Sequence, residues 1–297
     1  MTSALDSIRA GEEQNIVLIT LDCCRFDTAA RARTPVLDCL GTLRQAWAPA
    51  TFTLPSHMAM FSGYLPNVTD LPLQDYYSRE RFQLWRLSRA KNKPRDSFGL
   101  MLQGDTILEG FRRRGYRTVG SGGVRWFLTK TLTHEFDRFM FWGPKDYLNW
   151  FQSRTQEDFA LEHVDEIVAQ VEAASSWFLF VNSIETHAPY NNGVDDIDER
   201  LTNIIGRGKP IFAGRRDFEL EVDLSSADFK YMHRAQIRAL EVADARLGRL
   251  FERLPKPFVA IVTGDHGECF GELGRWGHGF PADPVLKVPL VVGSVDS

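Results

Sequence analysis

Apolar residues along this chain follow two rhythms. The first is the unbroken run, found from Asn15 to Leu21, from Trp177 to Ile184, from Pro257 to Thr263, from Val288 to Val292 and, more briefly, from Tyr116 to Val119. Continuous runs rich in β-branched residues suit strands buried on both faces of a mainly parallel sheet. The second is a stripe at helical spacing, carried by Phe159, Leu161, Val164, Ile167, Val168 and Val171, and again by Leu240, Ala243, Leu247, Leu250, Phe251 and Leu254. Strands alternating with helices predict an α/β fold, a three-layer αβα sandwich around a mainly parallel central sheet. No internal repeat and no Pro/Gly/Ser-rich linker divides the chain, so a single catalytic domain over residues 1–297 is expected, with 1–14 as an N-terminal extension. Two stretches break the alternation. Residues 73–97 are basic from Arg79 onward with interleaved aromatics, and residues 191–225 mix acidic side chains with Arg207, Lys209, Arg215 and Arg216. Both read as insertions and as candidate parts of a lid over an anionic substrate.

Composition narrows the function classes. At 297 residues, 43% hydrophobic and 25% charged, the chain can bury a sizeable core, which excludes fibrous and low-complexity classes. Lys and Arg number 35 against 39 Asp and Glu, a net charge of −4, so no global field favours nucleic acid. The first residues lack the pattern of a secretory signal, and no run of about 18 apolar residues offers a transmembrane segment, so a cytoplasmic setting is expected. Of the 4 cysteines, Cys23 and Cys24 are adjacent, and Cys39 and Cys269 complete no zinc or disulfide spacing.

Candidate chemistry gathers behind three of the apolar runs. Ligands in open α/β sheets bind outside the carboxyl ends of the strands. The first run delivers Asp22, the run ending at Ile184 delivers Glu185 and His187, and the run ending at Thr263 delivers Asp265, His266 and later His278. The segment from Thr51 to His57 leads into an apolar stretch with Pro55 in its first turn, which places Thr53 at a helix mouth suited to a tetrahedral anion. Coordination to a divalent cation lowers the pKa of a hydroxyl such as that of Thr53. Asp22, Asp265 and His266 are a donor set for one Zn²⁺ or Mn²⁺, and less comfortably for Mg²⁺ or Ca²⁺.

These residues stand in a familiar order. Asn15 to Asp22, then Thr53-Leu-Pro-Ser-His57, then Gly115-Tyr-Arg-Thr118, then Glu185-Thr-His-Ala-Pro-Tyr190, then Gly264-Asp-His-Gly-Glu268 followed by His278 resembles the sulfatase branch of the alkaline phosphatase superfamily. The resemblance implies a metal-dependent hydrolase or transferase with a covalent intermediate on Thr53. Sulfatases of that branch carry Cys or Ser there and convert it to formylglycine, which a threonine cannot form. Thr53 is similar instead to the nucleophile of the phosphodiesterases and phosphoethanolamine transferases, in which the threonine is phosphorylated. The resemblance therefore implies action on phosphate mono- or diesters or phosphonate esters, with a small anionic ester as partner. Catalytic roles fall to Thr53, His187 and His278, and the metal to Asp22, Thr53, Asp265 and His266. His57, Arg25 and Arg125 are candidates for substrate binding. Cys23 stands where many sulfatases have a second metal-binding Asp, and Gly123 and Arg125 stand roughly where they have Lys and His. A second metal at Glu185, His187 and His278 has less support than one. A sulfuric-ester hydrolase without formylglycine, and a degenerate metal- or anion-binding protein, are the competing readings.

Overall fold

The computed structural model describes residues 14–65, 106–128, 130–143, 154–190, 198–208 and 224–296. The candidate lid stretch 73–97 and most of 191–225 lie outside the described residues. In chain order the elements are β1 (Asn15–Leu21), α1 (Phe26–Ala29), α2 (Pro35–Leu40), β2 (Arg44–Trp47), α3 (Thr53–Ser62), α4 (Ile107–Arg113) and β3 (Arg117–Gly122). There follow α5 (Lys130–Thr133), β4 (Arg138–Phe141), α6 (Val164–Val171), β5 (Trp177–Ser183), α7 (Glu199–Gly208) and α8 (Ser226–Arg253). The chain closes through β6 (Phe258–Gly264), β7 (Cys269–Phe270), β8 (Trp276–Gly277), α9 (Asp283–Leu286) and β9 (Lys287–Val295).

Among the described residues the main sheet has 7 strands in the order β2-β9-β6-β1-β5-β3-β4. Strands β6, β1, β5, β3 and β4 run parallel. β9 lies antiparallel to β6, and β2 antiparallel to β9. The predicted runs all form strands, and β1 and β5 are sandwiched as their composition requires. Val17, Ile19, Leu21, Leu179 and Val181 face one layer with Ile167, Leu240, Leu247 and Leu250. Phe178 and Phe180 face the other with Met58, Phe61 and Leu108. Helices on both faces of a mostly parallel sheet give the α/β layering that strand–helix alternation predicts.

Two helix expectations are corrected. The first stripe is helical only over Val164–Val171, because Phe159 takes an extended conformation (φ −105°, ψ 123°) between single 3-10 turns at Gln156–Asp158 and Ala160–Glu162. Phe159 is still fully buried, so the apolar pattern records burial rather than helix. The second stripe begins earlier than its apolar residues suggest, at a capping box in which Ser225 and Asp228 satisfy each other's backbone N–H. β2 and β4, which were not among the expected strands, are short edge strands with partly exposed side chains.

The sheet register decides where the chemistry goes. Leu21 at the end of β1 pairs with Ser183 of β5 on one side and Gly264 of β6 on the other. Asp22, the Ile184–Tyr190 loop and Asp265 therefore leave the sheet from one row. Leu247 on α8 is fully buried against this sheet. Leu247→Ala should cost about 2–5 kcal/mol, read as a lower urea midpoint at unchanged slope; an unchanged midpoint would contradict this packing.

Candidate active site

Asp22 extends the β1–β5 ladder by one hydrogen bond, its N–H donating to Ser183 O at 2.9 Å. The chain then turns sharply at Cys23, a non-glycine residue at φ 63°. Such a conformation costs of order 1–3 kcal/mol and persists only where the surroundings fix it. Asp265 and Gln236 fix it here. The Cys23 N–H donates to Asp265 Oδ1 at 3.3 Å, and its carbonyl accepts from Gln236 Nε2 of α8 at 2.9 Å. Gln236 also donates to Thr186 O, and the Thr186 hydroxyl donates to Asp22 O at 2.6 Å. After β6 the chain has to pass other backbone closely. A Cβ on Gly264 would lie 2.7 Å from Cys24 O, and one on Gly267 would lie 2.0 Å from Pro284 O, so only glycine fits on either side of Asp265 and His266.

Thr53 is the first residue of α3, and the N-cap is Phe52, whose side chain makes no capping bond. Thr53 is thus not a helix cap. Its hydroxyl donates to Asp22 Oδ2 at 3.3 Å and lies 3.4 Å from His266 Nε2. His266 Nε2 is also 3.7 Å from Asp22 Oδ1 and 3.6 Å from Asp265 Oδ2. Its Nδ1–H donates to Gly267 O at 2.9 Å, which turns the Nε2 lone pair toward the three oxygens. Asp265 Oδ2 is buried and accepts no hydrogen bond. Burial and the neighbouring Asp265 push Asp22 up to about 7, and burial pushes Asp265 up to about 8.

This donor set fits a divalent cation. Two carboxylates, a hydroxyl and an imidazole lone pair converge with separations of 3.3–3.7 Å around Thr53 and His266. A tetrahedral shell with bonds of about 2.0–2.2 Å has edges of about 3.3–3.6 Å. The positive charge would also relieve two buried carboxylates whose burial otherwise opposes ionisation.

His187 and His278 border the same space. His187 Nδ1 lies 2.6 Å from Ala188 O and 3.3 Å from Arg154 Nη2, and its ring centroid is 5.9 Å from that of His278. His278 Nδ1 lies 3.6 Å from Cys23 Sγ and 3.3 Å from Glu268 Oε1. Burial, then the Arg154 charge, holds His187 well below the usual imidazole range, and burial alone takes His278 to about 3. Both are neutral imidazoles at neutral pH.

Other candidates are placed elsewhere. His57 is fully buried, donating to Thr53 O at 2.7 Å through Nδ1 and contacting the Thr20 hydroxyl at 3.0 Å through Nε2. The rings of Phe61, Phe127 and Phe180 enclose it. Both of its ring nitrogens are engaged inside the fold, one of them at the start of α3. The Arg25 guanidinium is held by Asp27 and Glu272 at 2.7 Å each and by Glu268 O at 3.2 Å. Arg125 is half-buried at the start of the 3-10 turn Arg125–Leu128 after β3, a strand that β5 separates from β1. Glu185 is drawn off by Arg246 at 2.9 Å and by the Ser183 hydroxyl at 2.5 Å, so it belongs to the core rather than to a metal.

Sequence reasoning missed Arg154, Tyr190 and Glu268. Buried Arg154 clasps the His187 loop through Ile184 O (2.7 Å), His187 O (3.2 Å) and Ala188 O (2.7 Å). It lies outside every periodic stretch, and no local signal marks it. Tyr190 donates its hydroxyl to Glu268 Oε2, completing a Tyr190–Glu268–His278 chain. Glu268 was visible in the Asp-His-Gly-Glu string, but its role needed His278 brought beside it.

The sulfatase family model matches residues 14–296, and the chain belongs to that family. No curated protein matches it by sequence. Solved structures similar in fold include the integral membrane lipooligosaccharide phosphoethanolamine transferase A of Neisseria meningitidis, with TM-score 0.59 and 14% identity over 96% of this chain and 48% of that one. The C-terminal periplasmic domain of a phosphoethanolamine transferase of Campylobacter jejuni has TM-score 0.57 and 13% identity, covering 97% and 81%. A phosphonate monoester hydrolase of Agrobacterium radiobacter has TM-score 0.60 and 17% identity, covering 94% and 68%. This chain thus spans about half the length of the Neisseria protein. No helix among the described residues is long and apolar enough to cross a membrane.

The core placement of Glu185 is testable. Removing its partner in Arg246→Ala leaves a fully buried carboxylate unpaired and should cost about 3–5 kcal/mol of stability with bound metal unchanged. Loss of metal without loss of stability would return Glu185 to the site.

Proposed function

We propose that this member of the sulfatase family is a divalent-metal-dependent hydrolase or phosphotransferase, acting on phosphate mono- or diesters or phosphonate esters through a covalent phosphothreonine at Thr53. Superfamily members are hydrolases and transferases of sulfate or phosphate esters and generally depend on a divalent metal. The observation that carries the finer reading is the position of the Thr53 hydroxyl, at the first residue of α3 and within 3.4 Å of both Asp22 Oδ2 and His266 Nε2.

Asp22, Thr53, Asp265 and His266 are the residues to hold the cation, with Zn²⁺ or Mn²⁺ the best match to three oxygens and one imidazole. When bound, the cation supplies charge that lowers the threonine pKa and offsets that of the phosphoryl group. The chain's own residues do the positioning. The Thr53 hydroxyl is directed at Asp22 Oδ2, which can take its proton as Oγ1 forms the bond to phosphorus and the ester oxygen leaves. Free N–H groups at the start of α3 face the non-bridging oxygens. His57, locked on Thr53 O, fixes the direction of that helix mouth. His187 and His278 are the side chains placed to serve the leaving oxygen. Water or an acceptor alcohol then takes the phosphoryl group from Thr53.

Side-by-side assays of nitrophenyl phosphate, bis(nitrophenyl) phosphate, a phosphonate monoester and nitrophenyl sulfate with added Zn²⁺ or Mn²⁺ test the substrate class. Phosphorus esters should turn over and sulfate should not. Thr53→Ala should lower kcat by about 10³-fold or more while the protein keeps its metal. Undiminished turnover in that variant would sink the assignment.

A further inference from the structure

Among the described residues the buried arginines are Arg25, Arg154 and Arg246, and they are used differently. Arg25 pairs with Asp27 and Glu272, and Arg246 with Glu162 and Glu185. Arg154 instead turns its guanidinium on the backbone of one loop. Nη1 donates to Ile184 O at 2.7 Å and to His187 O at 3.2 Å, while Nη2 donates to Ala188 O at 2.7 Å and lies 3.3 Å from His187 Nδ1. Inside that loop the His187 N–H donates to Ile184 O and the Tyr190 N–H to His187 O, each at 3.1 Å. The carbonyls of a tight turn thus converge on one cation. Burial lowers Arg154 to about 10, which still leaves it charged at neutral pH. Burying such a charge is costly unless hydrogen bonds compensate it, and here the compensating acceptors flank His187.

The segment that carries Arg154 is itself anchored. Thr155 and Asp158 form a capping box around the 3-10 turn that follows Arg154. A Cβ on Gly123, just past β3, would lie 3.2 Å from Asp158 O and 2.9 Å from Ile184 Cδ1, so this turn and the His187 loop both seat against the carboxyl end of β3. From the opposite side the Thr186 hydroxyl donates to Asp22 O, and Gln236 donates to Thr186 O. His187 is therefore held between two fixed supports. A lysine could not reproduce the grip of Arg154, because a planar fork reaches several acceptors at set angles and an ammonium is a compact point charge.

We propose that Arg154 is a positioning residue for the leaving-group side of the site, gripping the backbone on both sides of His187 so that the imidazole stays where the ester oxygen departs. The kinetic consequence rests on the reading of His187 as a residue that serves that oxygen; the grip itself does not. Thr53 and its donor set stand on α3 and on the ends of β1 and β6, whereas Arg154 acts on the loop after β5. Loosening Arg154 therefore leaves the nucleophile and first cation in place and displaces His187. Esters are affected unequally. A leaving oxygen that is stable as an anion needs little help, and a poor leaving group needs most.

The test assays a series of aryl phosphate diesters, with leaving groups from nitrophenol to phenol, on the full chain and on Arg154→Lys, His187→Gln and the double variant. Arg154→Lys should lower kcat for the phenyl ester about 10²-fold and for the nitrophenyl ester about tenfold less, with KM and bound metal unchanged. In the His187→Gln background the same substitution should add little. Equal slowing across the series, or full additivity with His187→Gln, overturns the proposal and makes Arg154 a support of the fold alone. A second readout needs no turnover. In ¹⁵N-histidine spectra of the full chain, the His187 signals, assigned by their loss in His187→Gln, should shift in Arg154→Lys while those of His57 stay. Unmoved His187 signals overturn the proposal. Where Arg154→Lys does not fold, Arg154→Gln takes the same two measurements. A wild-type chain that turns over none of the esters yet shows the shift removes the phosphoryl-transfer reading and leaves the hold of Arg154 on His187 standing.

Discussion

Everything at this site follows from burying two carboxylates side by side at the end of a parallel sheet. Asp22 and Asp265 are fully buried, and each is pushed far above the usual carboxylate range by that burial. Two like charges in a dry pocket are costly unless hydrogen bonds or a cation compensate them. The backbone supplies part of the answer, with the N–H groups of Cys23 and His266 both donating to Asp265 Oδ1. It leaves Oδ2 for something else. One oxygen of Asp265 is thus fixed and the other is open toward His266.

Holding such a pair open requires a rigid frame. β1 is central, and its alternate residues serve both layers, with Ile19 and Leu21 packed toward α8 while Thr20 on the opposite face reaches His57 of α3. His57 in turn grips Thr53 O. From the other layer Gln236 of α8 ties Cys23 O to Thr186 O, and the Thr28 hydroxyl donates to Gln236 Oε1 at 2.6 Å. The nucleophile candidate and its carboxylate partner are thus fixed from opposite faces of the same strand. Little reorganisation remains for the moment of reaction, which is the condition under which fixed dipoles are most effective.

The sequence made the sheet and the ligand ends legible, and for one physical reason. Strands buried on both faces are largely apolar, so the first charged residue after each run, at Asp22, Glu185 and Asp265, announces the sheet's edge. Edge strands and 3-10 turns carry no such signature. β2 and β4 are partly exposed, and Phe159 is buried without being helical, so periodicity alone misreads it. His57, Arg25 and Glu185 illustrate the other gap. Their residue types fit an anion or metal site, but type does not reveal that Thr20, Glu272 and Arg246 wait across the fold to engage them. Partners distant in the chain are invisible to local pattern.

Cys23 shows where local pattern and tertiary structure together say more than either. Read along the chain it is a small thiol after a ligand carboxylate, and filler is the economical interpretation. Its left-handed backbone, φ 63°, turns the Asp22 and Cys23 side chains toward one space. Gln236 and Asp265 hold both ends of that turn. The backbone fixed on each side holds the Cys23 sulfur 3.6 Å from His278 Nδ1. Cys24, next along the chain, supplies the contrast: its thiol is equally buried, donates only to Arg25 O and joins the apolar core behind the sheet. Two adjacent, fully buried cysteines thereby meet different surroundings through the direction in which the backbone turns.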